Sequence, residues 1–253
     1  MWFCLFWQNL SFSRRKIILI PTTAGTGSEV NPYAVLTLDG QDKKWTFKDY
    51  EQAYAKYAFL DARYTDSLSE KYTLSCALDA FAHCAESFLS PKGDEMSRLF
   101  AGYGARVLYA FIRDFKAGEA ISLETREALL YASCAGGIAI NKTGTGFPHP
   151  LGYVLTENYG VPHGMACAAF FAPYIDRCAE FSPEKFADFC RMTENIEDVK
   201  NVIASLTDLS GAVIGEENAK KYALRWQSII PRNFTASPGG LTQEEAAGII
   251  AGT

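Results

Sequence analysis

The sequence predicts a mostly α-helical protein with a short β-rich N-terminal piece, and three observations predict it. Up to about residue 67, short apolar runs alternate with Gly, Pro and Asp-Gly turn signals. Beyond that point, seven segments carry apolar residues at helical spacing, separated by short polar or Gly/Pro breaks. The chain has 253 residues, 48% apolar and 21% charged, which is enough to bury a real core. Residues 1–67 are therefore expected to form one unit and residues 68–253 an all-helical one.

The elements follow in order. KIILI (16–20), ended by Pro21, suits a buried strand, and the small, hydroxylated TTAGTGSEV (22–30) suits a loop. Residues 33–38 alternate weakly and end at Asp39-Gly40, a hairpin turn signal, so 43–47 is the returning strand. A further short strand is expected at 57–61. Helical periodicity then covers 69–90, 96–115, 122–140, 161–178, 182–192, 195–208 and 216–228. Ser69-Glu70 and Ser182-Pro183-Glu184 place a capping serine and an early acid at two helix starts. Ser237-Pro238-Gly239-Gly240 reads as a turn before a terminal helix after Thr242, and no internal repeat is present.

Composition excludes several classes of function. The net charge is −5, and the one basic run, RRK at 14–16, is too short for a nucleic-acid surface. Seven cysteines without a CxxC pair sit mostly in apolar helical stretches, as at Cys76, Cys84, Cys134 and Cys167, and suit small buried side chains in a reducing compartment. MWFCLFWQNLSF at the start lacks the positive charge and cleavage site of a signal peptide. It is also shorter than the roughly 20 apolar residues that span a bilayer. It fits a strand or helix of the fold, a weak surface segment, or sequence unrelated to the fold. A cytoplasmic protein without membrane or nucleic-acid partners is expected.

The chemistry concentrates in the histidines. There are three, His83, His149 and His163, and Asp79 lies one helical turn before the first. Asp79 and His83 share a helix face whose neighbours are almost all small or apolar. A carboxylate there is costly unless something positive or strongly hydrogen-bonding meets it. Alone, the pair fits either a self-satisfied Asp–His contact or two ligands of one ion. Two further histidines, in HPLGYVLTENYGVPHG (149–164), shift the balance towards a shared ion. One carboxylate and three imidazoles suit Fe(II) or Zn(II) and leave a coordination position open, as catalytic sites do.

TTAGTGSEVNPYAVLT, ALDAFAHCAESFLS and HPLGYVLTENYGVPHGMA, in that order and spacing, resemble the motifs of the iron-containing (group III) alcohol dehydrogenases. The resemblance runs from about residue 17 to the end. It implies Asp79, His83, His149 and His163 as the four metal ligands, within a dehydroquinate synthase-like α domain. It implies a cofactor-side loop in which Thr22, Thr23, Thr26, Gly27 and Ser28 meet NAD or NADP. Lys44, just after the hairpin turn, fits either an approach to the same cofactor or an exposed turn lysine. The first 67 residues would be the remnant of an α/β nucleotide-binding domain. The implied activity is interconversion of a primary alcohol and an aldehyde, in a protein that is compatible with a homo-oligomer.

Two departures stand out. No GGGS-type pyrophosphate loop precedes TTAGTGSEV, which motivates an alternative: a non-catalytic metal-binding remnant. Many relatives carry another histidine four residues after the third ligand. Here that position is Tyr153, the candidate catalytic residue, whose phenol can donate or relay a proton but is a poorer base at neutral pH than imidazole. A glycerol dehydrogenase or dehydroquinate synthase type shares the architecture, but HPLGYVLTENYGVPHG favours the alcohol dehydrogenases.

Overall fold

The computed structural model describes residues 16–38, 43–51, 53–193, 196–207, 209 and 211–252. The expected Asp39-Gly40 turn and the apolar segment 1–12 lie outside them. Among the described residues, the N-terminal part holds two separate two-stranded sheets. β1 (Ile18–Leu19) pairs in parallel with β4 (Tyr57–Ala58), and β2 (Tyr33–Leu38) pairs antiparallel with β3 (Lys43–Lys48), Tyr33 opposite Lys48 and Leu38 opposite Lys43. The hairpin is as expected. The burial of 16–20 is not: Ile18 is 54% exposed and Ile17 and Ile20 nearly as much, because β4 is the sole strand paired with β1 among the described residues. The strand expected over 57–61 shrinks to two residues.

Eleven helices follow among the described residues: α1 (Glu70–Leu89), α2 (Glu95–Asp114), α3 (Leu123–Thr143), α4 (Pro148–Tyr159), α5 (His163–Ala168), α6 (Phe171–Phe181), α7 (Pro183–Met192), α8 (Ile196–Leu206), α9 (Glu216–Ile229), α10 (Pro231–Ala236) and α11 (Gln243–Ala251). The fold is thus mostly α with a small β part. Serine 69 caps α1 as expected, accepting the Tyr72 N–H, whereas Ser182 makes no side-chain cap bond and α7 begins instead on Pro183.

α1 is the hub. From Thr73 to Leu89 every residue but Cys76 is buried, which is what a helix apolar on all sides should do. α2, α3 and α5 pack around it. The connector from the β-rich part is tied down by Arg126 of α3, whose guanidinium donates to the carbonyls of Thr65 (2.6 Å) and Leu68 (3.0 Å) and to Thr73 Oγ1 (3.2 Å).

Two helical boundaries differ from the periodicity. The segment 161–178 breaks into α5 and α6 at a turn over Ala169 and Phe170. Conversely, α4 forms over a stretch with Pro148, Pro150 and Gly152 that reads as loop. Both prolines fall in the first helical turn, where backbone N–H groups have no intrahelical acceptor to lose, so they start the helix rather than break it. α5 lies so close to α1 that a Cβ on Gly164 would sit 1.7 Å from the Ser75 carbonyl oxygen. Only glycine permits that approach, and it sets His163 over Asp79.

Gly164→Ala should therefore cost about 3 kcal/mol or more of stability by overpacking against backbone. Gly248→Ala, at an exposed position of α11 with nothing near its Cβ, should gain about 0.5–1 kcal/mol. Urea unfolding of both variants checks this, and equal effects would contradict the packing account.

Candidate metal centre and cleft

Three helices deliver the four predicted ligands to one point. Asp79 and His83 come from the middle of α1, His149 from the first turn of α4, and His163 from the start of α5. Asp79 Oδ1 lies 3.5 Å from His149 Nε2, 3.7 Å from His163 Nε2 and 3.9 Å from His83 Nε2. Ligands about 2.1 Å from an ion at tetrahedral angles stand about 3.4 Å apart, so the His149 separation fits a divalent ion directly, and the His163 and His83 side chains need only shift by a few tenths of an ångström to close on it. Among the described residues, Asp79 Oδ1 and His149 Nε2 are both buried without a hydrogen-bond partner. Buried polar atoms are almost always paired, so two orphans facing one another mark a place for a cation. The rings of His83 and His149 stack at 4.5 Å and 17°, while His163 meets His149 edge-on at 5.7 Å.

The electrostatics agree. Burial alone would raise the Asp79 pKa, but the imidazoles of His83, His149 and His163 outweigh it and hold the carboxyl well below its usual range. Burial pushes His83 down, against the pull of Asp79. Burial also opposes protonation of His149, yet the carboxylates of Glu86 and Asp79 together raise it to about 10. Without an ion, a proton on His149 stands in for the missing positive charge.

Glu86 is a residue that the sequence reading missed. It lies on α1, seven residues after Asp79 and three after His83, hence on the same face. Cys167 was missed too: its Sγ lies 3.7 Å from His163 Nε2 and belongs, with Asp79, His149 and His163, to a group of ligand atoms all within 4.8 Å of one another. His83 falls outside that tighter group, although its Nε2 reaches Asp79. The thiol is nearly equidistant from both nitrogens of the His163 ring (3.7 and 3.9 Å), so it packs beside the ring rather than ahead of Nε2. We therefore keep His83, not Cys167, in the candidate set.

The centre opens into a cleft of about 640 Å³. Of the residues expected near a cofactor, Thr26 and Ser28 line it; Thr22, Thr23 and Gly27 do not. Gly27, at φ 55°, sits behind them against Gly137 of α3, where a Cβ would be 2.6 Å from the Gly137 Cα. The Lys44 side chain lies outside the described residues; Lys48, four residues further along β3, lines the cleft. Lys92, Lys142 and Arg232 also line it, and among the described residues Asp79 is the one carboxylate that does. Tyr153 stacks on His163 at 5.2 Å and 11° with Trp226 on its other neighbour side at 5.0 Å, and burial raises its phenol pKa further.

Comparison with known proteins places this arrangement in context. Residues 73–229 match the family described as "Fe-containing alcohol dehydrogenase family, C-terminal", and residues 6–62 match "Iron-containing alcohol dehydrogenase". The chain is 27% identical over 219 residues to the 4-hydroxybutyrate dehydrogenase of Clostridium kluyveri, covering 85% of this chain and 59% of that protein. It is 34% identical over 173 residues to the sulfoacetaldehyde reductase of Bilophila wadsworthia, covering 67% of this chain and 43% of that one. Among solved structures, an iron-containing alcohol dehydrogenase from Thermotoga maritima superposes with a TM-score of 0.80 at 32% identity, over 94% of this chain and 64% of that one. The sulfoacetaldehyde reductase of Bifidobacterium kashiwanohense, solved in complex with NAD+, gives 0.83 at 25% identity, over 95% and 66%. The chain thus spans about 60% of the length of several of its relatives, and less of others.

Two outcomes follow from the geometry. His163→Ala should strip the metal, since three donors hold a divalent ion less well than four; unchanged metal content on elemental analysis would show the ligand set to be misassigned. Zinc uptake by the metal-free chain at pH 7 should release at least one proton, because His149 must give up the one that its raised pKa retains. Calorimetry in buffers of different ionisation enthalpy measures it, and zero release would contradict the charge assignment.

Proposed function

Because the chain belongs to the iron-containing alcohol dehydrogenase family, we propose that it interconverts a small primary alcohol and its aldehyde at the Asp79–His83–His149–His163 centre. Its cofactors on this reading are one divalent ion, Fe(II) or Zn(II), and NAD or NADP. The observation that supports it most directly is the convergence of three imidazole Nε2 atoms on one orphaned carboxylate oxygen at the wall of a cleft. An ion held there supplies Lewis-acid polarisation of a substrate oxygen, and a nicotinamide supplies the hydride acceptor or donor.

The chain's own residues do the rest. Asp79 brings negative charge to the ion, and the three neutral imidazoles leave its electrophilicity largely intact. Thr26 and Ser28 present hydroxyls to the cleft, where a nucleotide would lie along the loop that Gly27 lets settle on α3. Lys48, Lys92 and Arg232 give the cleft a positive wall suited to cofactor phosphates or to a substrate that carries an anion. 4-Hydroxybutyrate and sulfoacetaldehyde, after which two relatives are named, are of the latter kind. Tyr153 keeps its proton at neutral pH, so its hydroxyl serves as a hydrogen-bond donor rather than as a base, and its ring holds His163 in orientation.

We also place the division between the nucleotide-side remnant and the helical metal-binding part near residue 67, just before α1. The protein is assigned to the cytoplasm on its six described cysteines, all free, and no described helix is long and apolar enough to cross a membrane.

Anaerobic purification, elemental analysis and a fluorescence titration with NADH and NADPH test the reading together. About one iron or zinc per chain with saturable nucleotide binding is expected. Metal without nucleotide binding would leave a metal-binding module in place of a dehydrogenase, and absence of both would overturn the assignment.

A further inference from the structure

Glu86 is a full carboxylate with its side chain entirely inside the protein, and no lysine or arginine forms an ion pair with it among the described residues. Such a group is expensive to bury unless its lone pairs are met. They are met by two N–H donors: the His149 ring at Nδ1 (2.8 Å to Oε1, 3.0 Å to Oε2) and the Gly146 backbone (2.6 Å to Oε2). The Gly146 bond alone would make Glu86 an anchor for the start of α4, beside the Phe147 N–H bond to Ser237 Oγ.

The ring contact does more. An ionised carboxylate only accepts, so Nδ1 must carry the hydrogen. In the neutral ring that binding an ion requires, Nε2 is then left with its lone pair, and it faces Asp79 Oδ1 across 3.5 Å. Both atoms offer electrons to the same space. Charge counting points the same way: Asp79 and Glu86 contribute two negative charges, three neutral imidazoles contribute none, and a divalent ion makes the buried assembly neutral.

Resting on the metal-centre reading above, we infer that Glu86 is a positioning residue that fixes His149 in the Nδ1–H tautomer and so presents Nε2 to the ion. It touches neither ion nor substrate; it acts through the imidazole and makes it a stronger donor.

The test uses the whole chain loaded with zinc and the isosteric variant Glu86→Gln. An amide offers one acceptor oxygen where the carboxylate offers two, and its NH2 competes for Nδ1 as acceptor. Zinc affinity of the folded variant, measured by chelator competition, should fall about 10- to 100-fold. Nitrogen-15 spectra of the zinc-loaded wild type, simplified by there being three histidines in all, should show His149 zinc-bound at Nε2 and protonated at Nδ1, with an Nδ1–H that exchanges with solvent more slowly than those of the other two imidazoles because Glu86 holds it. A folded Glu86→Gln with lower thermal stability but unchanged zinc affinity would reduce Glu86 to an anchor and overturn the inference. If that variant does not fold, the wild-type spectrum decides, and His149 bound to zinc through Nδ1 overturns it. Failure of the wild type to take up zinc is a separate outcome, which overturns the metal centre itself and this inference with it.

Discussion

Asp79 sits in the middle of the central helix, 4% exposed, with an oxygen that no donor reaches, and the neighbouring elements are arranged around that charge. A lone ionised carboxylate in such a place would destabilise the fold by several kcal/mol or pick up a proton. Three imidazoles prevent the second outcome by holding its pKa down, and a second carboxylate behind one of them supplies the balance that a divalent ion requires. The centre is therefore an electrostatic unit of five side chains on three helices. Removing either carboxylate leaves charge unmatched inside a well-packed core, and removing an imidazole takes a donor from the ion.

That unit explains features that look unrelated. α5 crosses α1 at a contact only Gly164 permits, and the crossing carries His163 to within 3.7 Å of Asp79. α4 starts on Pro148 and is held by Glu86 and Ser237, which fixes His149 in its first turn. Gly27 and Gly137 let the hydroxylated loop rest on α3 so that Thr26 and Ser28 face the same cleft. Close backbone approach is thus used repeatedly to bring short polar segments to a site whose other walls are helices and the β2–β3 pair.

Much of this was legible in the chain because it depends on local pattern. The helical periods, the Ser69 cap, the hairpin flanks and the four ligand types all follow from spacing and residue chemistry. α4 was not legible: prolines and a glycine signal loop, and only their position within the first turn makes them compatible with a helix. The exposure of KIILI was not legible either, since branched apolar residues look the same whether or not another layer covers them. Glu86 was in plain view at the i+7 position from Asp79, but a single buried acid carries no sign of its partner. That partner lies 63 residues away. Cys167 lies one helical turn after His163, where a cysteine among small apolar residues reads as packing; the cationic cleft residues Lys92 and Arg232 come from distant segments and meet only in the folded chain.

The central claim is that one divalent ion binds among Asp79, His83, His149 and His163. Anomalous diffraction from crystals of the iron- or zinc-loaded protein tests it most directly. The account predicts a single strong peak about 2.0–2.3 Å from Asp79 Oδ1 and from the Nε2 atom of each histidine, with Glu86 still hydrogen-bonded to His149 Nδ1. A peak elsewhere in the loaded crystals, or an ion bound through Cys167 with His83 turned away, would contradict it.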